Sequence, residues 1–169
     1  MVEYRQSSSG NDTVATAPKL WRPIADKIGG FDLDPAAGCE PAPIATKRYT
    51  KDEDGLTQAW HGNVWLNPPF SEKRPWYKRA VNQYKNGDVD RLVALAPGDV
   101  STDWFHNWFS TADALVFLNG RDWYISPGKC PTFSTQIGLW NPTNDLMDYL
   151  HTIGTVVEPR ETNQQQTLL

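Results

Sequence analysis

The sequence holds only two cysteines, Cys39 and Cys130, and three histidines, His61, His106 and His151. The cysteines could form at most one bridge and neither stands at metal-ligand spacing, so two free thiols are expected. The histidines are scattered, so no metal site is expected. No apolar run approaches the length of a membrane span, and no membrane partner is expected. The N-terminus lacks the basic-then-apolar layout of a secretory signal, which points to a cytoplasmic protein. A basic excess is missing as well. The net charge is −4 and the pI is near 5.3. That total argues mildly against a nucleic-acid partner, because phosphate contacts need Lys and Arg.

A local basic patch can outweigh an acidic total. Lys73, Arg74, Lys78, Arg79 and Lys85 form one such cluster, which reads equally well as a solvated helix face. The chain of 169 residues fits one domain with a single core. Residues 1–17 are rich in Ser, Thr, Asn and Ala and are expected to form a disordered leader. Residues 158–169 are expected to be a similar tail, leaving a folded domain over 18–157.

Within that domain, strand-like and helix-like segments alternate. Leu20 to Lys27 reads as a helix ended by Gly29-Gly30. Phe31 to Asp34 reads as a strand broken by Pro35, and Asn63 to Leu66 as a second strand closed by proline. Trp76 to Tyr84 has helical spacing, Arg91 to Ala96 is an apolar strand, Thr102 to Phe109 is helical and Ala114 to Leu118 is another apolar strand. Trp123 to Ile125 and Thr132 to Trp140 read as an antiparallel pair near the C-terminus. The pattern implies an α/β sheet covered on both faces, in which ligands sit at the C-terminal strand ends.

Two of those strand ends carry chemistry. Asn67-Pro68-Pro69-Phe70 follows the apolar strand directly. A conjugated amino group is a poor nucleophile, because its lone pair is delocalised. Two acceptors beside its hydrogens draw that lone pair out, and the Asn67 side-chain oxygen and the Pro68 carbonyl can supply them. The paired prolines hold the turn rigid, and Phe70 offers a stacking face for a base. The motif suits adenine N6, cytosine N4 or a protein glutamine equally. Asn-Pro-Pro is also ordinary turn chemistry. The second strand end is Asp32-Leu33-Asp34-Pro35-Ala36-Ala37-Gly38. Asp32 and Asp34 share a strand face, and two adjacent carboxylates call for a cation or hydrogen-bond donors. The small residues after them allow a ligand to approach the backbone. An Asp capping the next segment is the plainer alternative.

Together these segments resemble the phage-type DNA adenine-N6 methyltransferase family. The resemblance runs through Asp32–Ala37 (DLDPAA), Lys47–Leu56 (KRYTKDEDGL) and Ala59–Phe70 (AWHGNVWLNPPF). It continues more loosely through Leu92–Phe105, Phe117–Ile125 and Pro131–Thr135, covering roughly residues 19 to 140. It implies S-adenosylmethionine as cofactor, DNA as partner, and the host cytoplasm as location if the gene is phage-borne. The implied fold is a trimmed Rossmann-like methyltransferase sheet with a C-terminal antiparallel strand pair. Asn67, Pro68, Pro69 and Phe70 would be catalytic, and Asp32, Asp34, Pro35 and Ala36 would line the cofactor site. Family members often carry Trp-x-Thr-Pro near the N-terminus, where this chain has Leu20-Trp21-Arg22-Pro23. The Thr is absent, a departure from the family pattern, and Trp21 is still counted among the cofactor residues. Lys73, Arg74, Lys78, Arg79 and Trp76 would face DNA. Trp60 and Trp123 are further candidates for base contact, while Trp65, Trp104 and Trp108 are assigned to the core. A non-catalytic DNA-binding accessory module and a cytosine-N4 enzyme remain the rival readings.

Overall fold

Successive residues along a strand point to opposite faces of the sheet, and each apolar face must be covered. In a computed structural model, residues 15–38, 40–125 and 133–159 are described. Nine strands and four α-helices lie among them: β1 (Ala15–Thr16), α1 (Pro18–Ile28), β2 (Phe31–Asp34), β3 (Ala45–Arg48), β4 (Gly62–Leu66), α2 (Lys73–Lys85), β5 (Val89–Pro97), α3 (Asp103–Asn107), β6 (Ala114–Leu118), β7 (Tyr124–Ile125), β8 (Thr135–Trp140), α4 (Asn144–Ile153) and β9 (Gly154–Val157). Seven strands form one sheet in the order β3-β2-β4-β5-β8-β6-β9. The first four run parallel. β8 is antiparallel to both β5 and β6, and β9 is antiparallel to β6.

The alternation divides the core. Val64 and Leu66 of β4, with Leu92, Ala94 and Ala96 of β5, pack under α2 and α3. Trp65, Val93 and Leu95 point the other way, against Leu20 and Ile24 of α1 and Leu146 and Leu150 of α4. Trp65 is fully buried and meets Phe31 edge-on at 5.3 Å. Fully burying one such side chain contributes about 1.5–3 kcal/mol, so these central strands anchor the sheet. Among the described residues, no helix is long and apolar enough to cross a membrane.

The sheet corrects several expectations. β7 and β8 do not pair with each other. All six residues of β8 are buried, so it needs neighbours on both edges and takes them from β5 and β6. The two-residue β7 pairs with β1 instead. Ala15, Thr16 and Ala17, which the sequence assigned to a leader, are buried. Residues 1–14 and 160–169, like Cys39 and Cys130, lie outside the described residues. β3, α4 and β9 were not expected.

The position of β2 sets up the site. From β2 the chain moves outward to β3, then crosses back to β4 on the other side of β2. Parallel strands whose connections diverge in this way open a crevice at their C-terminal ends. Those two ends are Asp34 and Leu66, the residue before Asn67.

Candidate active site

β2 ends in Asp34, which is 3% exposed. One of its oxygens accepts the Ala36 N–H at 3.2 Å. Burial, followed by the negative charge of Glu40, pushes its carboxyl up to about 8. The Ala36 bond and Arg48 oppose that rise. Pro35 is buried, and Ala36 and Ala37 are half-buried. Asp32 does not join Asp34 at this edge. It is exposed, and its carboxylate accepts the Asn63 N–H at 2.7 Å, which ties β2 to the start of β4. The neighbour that raises Asp34 is Glu40, which sequence spacing did not indicate.

The loop after β3 braces this turn. The Ala37 N–H donates to the Tyr49 carbonyl at 3.0 Å, and the Tyr49 N–H to the Asp34 carbonyl at 2.9 Å. Gly55 lies so close that a Cβ there would sit 1.9 Å from the Pro35 carbonyl oxygen. Glu53 accepts the N–H and hydroxyl of Thr50, which holds its carboxyl below the usual range. Tyr49 and Gly55, on either side of the exposed residues Lys51 to Asp54, thus hold this loop against the Asp34 turn. Gly55→Ala is expected to force backbone apart at a cost of about 1–3 kcal/mol. That would lower the thermal midpoint by several degrees. An unchanged melting curve would contradict the contact.

β4 delivers Asn67-Pro68-Pro69-Phe70 to the same edge. Pro68 is buried, while Asn67, Pro69 and Phe70 are half-buried. The Asn67 amide nitrogen donates to the Thr16 hydroxyl at 3.1 Å. The Pro69 carbonyl accepts the Glu72 N–H at 3.1 Å, and the Phe70 carbonyl accepts Lys73 Nζ at 2.8 Å. Phe70 meets Phe133 at 5.5 Å and Tyr124 at 6.5 Å, both edge-on. Tyr124 is buried, which pushes its phenol well above the ordinary value.

The basic cluster separates. Lys73 folds back onto the motif, with its ammonium also 5.7 Å from the Trp104 ring. Arg79 bonds the Gln58 carbonyl and lies over Trp60, so its guanidinium holds the fold together. Arg74 and Lys78 are exposed on α2. They are four residues apart and share a face, with Arg74 paired to Asp103. Trp76 is buried and stacks on Trp60 at 6.3 Å, and the Trp60 indole N–H bonds the Gly55 carbonyl at 2.8 Å. Both rings support the site from the core. Trp21 is buried on α1 among the α4-side residues. Trp123 stays half-buried, with the Lys19 ammonium 4.9 Å from its ring. Among the described residues, no three His, Cys, Asp or Glu side chains gather as a metal group.

A family model described as DNA N-6-adenine-methyltransferase (Dam) matches residues 5–136. The chain belongs to this family. A DNA N-6-adenine-methyltransferase of Escherichia phage T1 is 34% identical over 98 residues, covering 56% of this chain and 40% of the phage protein. One from Haemophilus phage HP1 (strain HP1c1) is 30% identical over 109 residues, covering 64% of this chain and 58% of that protein. The chain therefore spans about half the length of the curated relatives it matches. The family match takes in Asp34, the clasping loop, the Asn67–Phe70 turn and Phe133.

Sequence reasoning missed Thr16, Tyr124 and Phe133 as neighbours of the motif. Thr16 sits in a short polar stretch without periodicity. Tyr124 and Phe133 lie in segments that read as strands, but their contact with Phe70 is non-local and has no signal in the sequence.

Proposed function

We propose that this protein methylates the exocyclic amino group of adenine in DNA, using S-adenosylmethionine. The observation that carries the reading is the seating of Asn67-Pro68-Pro69-Phe70 beside the buried Asp34 turn, at the point where the strand order reverses, in a chain of this family.

The sheet is read as a trimmed Rossmann-like methyltransferase fold. Its reversed strand order supports this. The β2–β3 and β3–β4 connections have no helix among their described residues, so the trimming lies in the crossovers. The folded domain is taken to include Ala15–Val157.

The Asp34 turn fits the cofactor. A buried carboxyl offers an acceptor for ribose hydroxyls or an ammonium group, and small residues beside it leave the backbone approachable. Asp34, Pro35 and Ala36 would hold the cofactor, which when bound supplies an electrophilic methyl group. Asp32 and Trp21 are left out, because each is engaged elsewhere.

The remaining work falls to the chain. Among the described residues the Pro69 and Phe70 carbonyls accept from Glu72 and Lys73, and the Pro68 carbonyl is assigned to the substrate. It and the Asn67 side-chain oxygen accept the two amino hydrogens and localise the nitrogen lone pair. A paired adenine cannot reach this edge, so the base must be flipped out at a cost of a few kcal/mol. Phe70 offsets part of that cost by stacking, worth about 1–3 kcal/mol per base.

Arg74 and Lys78, exposed on one face of α2, would hold phosphates of the DNA. Each phosphate contact removed flattens log affinity against log salt by about one unit. The Arg74→Ala, Lys78→Ala double variant should therefore bind duplex DNA more weakly and with a shallower slope. Coincident slopes would mean that DNA is held elsewhere. The enzymatic reading is tested by incubating the protein with methyl-labelled S-adenosylmethionine and duplex DNA of mixed sequence. Label entering the DNA is the expected result, and its absence at all DNA concentrations would reject it.

A further inference from the structure

Resting on the reading of Asn67 as an acceptor for the target amino group, we propose that Thr16 is a positioning residue that anchors the Asn67 amide by its nitrogen and so leaves the oxygen for the substrate. A carboxamide has a donor end and an acceptor end of nearly the same shape, and the torsion that exchanges them is soft. Only one orientation serves. With the oxygen outward, Asn67 accepts an amino hydrogen. With the nitrogen outward, two donors oppose each other and the lone pair is not released. The Asn67 turn is half-buried, and the Thr16 hydroxyl 3.1 Å away takes the donor end.

Thr16 is itself held firmly. It is fully buried and lies in β1, opposite Tyr124 of β7. The next residue continues the clasp, since the Ala17 N–H donates to the Trp123 carbonyl at 2.8 Å. Pro18 then opens α1, and its fixed φ sets the direction in which the chain leaves. The same register pair serves both parts of the motif. Thr16 bonds Asn67, and the Tyr124 ring meets Phe70 edge-on at 6.5 Å. A two-residue strand pair outside the main sheet thereby braces the hydrogen-bonding residue and the stacking residue together. This accounts for the burial of Thr16 in a stretch whose sequence reads as a polar leader.

The test compares Thr16→Val, which keeps the shape and loses the hydroxyl, with Thr16→Ser, which keeps the hydroxyl. Asn67→Ala serves as reference. Single-turnover methyl transfer, S-adenosylmethionine affinity and DNA affinity are measured for each, after a thermal melt. Thr16→Val should slow transfer by about tenfold or more while both affinities stay within about twofold. Thr16→Ser should recover most of the wild-type rate. If Thr16→Val does not fold, Thr16→Ala takes its place against Thr16→Ser. A wild-type rate in the variant lacking the hydroxyl would overturn the proposal. So would a serine variant equally slow, or a loss that follows cofactor or DNA affinity. A wild-type rate in Asn67→Ala would instead remove the underlying reading of the motif. A slow Asn67→Ala beside a fast Thr16→Val removes the positioning role alone.

Discussion

Replacing Asn67 with alanine is expected to slow methyl transfer by about 10²–10³-fold, the range for removing one preorganised hydrogen-bonding group from a transition state. Binding of S-adenosylmethionine should be little changed. The proposed partner of the Asn67 oxygen is the target amino group, and the proposed cofactor residues lie on the neighbouring turn after β2. The amino nitrogen gains nucleophilicity only as its hydrogens are held out of conjugation, so the interaction strengthens along the reaction rather than in the ground state. The loss should accordingly appear in turnover, with a small change in the Michaelis constants. Single-turnover rates with calorimetry of the cofactor separate the two effects. A variant retaining more than half of wild-type turnover would remove Asn67 from catalysis.

The second large effect concerns Asp34 and pH. Its carboxyl, normally near 3.8, is pushed up to about 8 by burial first and Glu40 second. The folded protein thus holds a proton there that the unfolded chain has released. Between about pH 4 and pH 8 the folded state binds more protons. The stability contributed by this group is therefore complete below pH 4 and is lost as pH rises through about 8. Cofactor binding is expected to run the other way. An ammonium group or ribose hydroxyls favour the ionised carboxylate, and only the ionised fraction is competent. S-adenosylmethionine affinity should rise by up to about tenfold per unit between pH 6 and pH 8. Asp34→Asn should flatten that rise. Asp34→Ala should weaken affinity by about 1.5–3 kcal/mol, the worth of a charge-assisted hydrogen bond, with DNA binding less affected. Calorimetry at several pH values checks each point. Equal affinities for wild type and Asp34→Ala would show that the carboxylate does not bind the cofactor.

The parts of the fold legible in the sequence were those with local causes. β4, β5 and β6 hold apolar runs and β2 alternates apolar with acidic residues; each is closed by proline or a polar break, and their ends lie within two residues of expectation. The Asn67 and Asp34 turns were legible because proline stops a strand at an identifiable residue. The parts that were not legible depend on non-local pairing. The Thr132–Trp140 segment reads as one arm of a hairpin, yet its two buried faces put β8 inside the main sheet, between strands distant in sequence. Thr16 reads as leader because two residues carry no period, and only the partner β7 makes them a strand. Arg79 and Trp76 look like DNA contacts because charge and aromaticity are visible in a sequence, whereas the Gln58 carbonyl and the Trp60 ring that engage them are not. Asp32 follows the same logic. Strand periodicity places it on the same face as Asp34, but its carboxylate belongs to the Asn63 N–H.

In the proposed reaction the Asn67 turn presents adenine N6 of DNA to the methyl group of S-adenosylmethionine. The most direct test expresses wild type and Asn67→Ala in a host lacking adenine methylation. Genomic DNA is digested to nucleosides and each methylated species is identified by mass and chromatographic position. N6-methyladenine is expected with wild type and to be nearly absent with Asn67→Ala. Methyl groups on cytosine N4, or the same N6-methyladenine with both proteins, would contradict it.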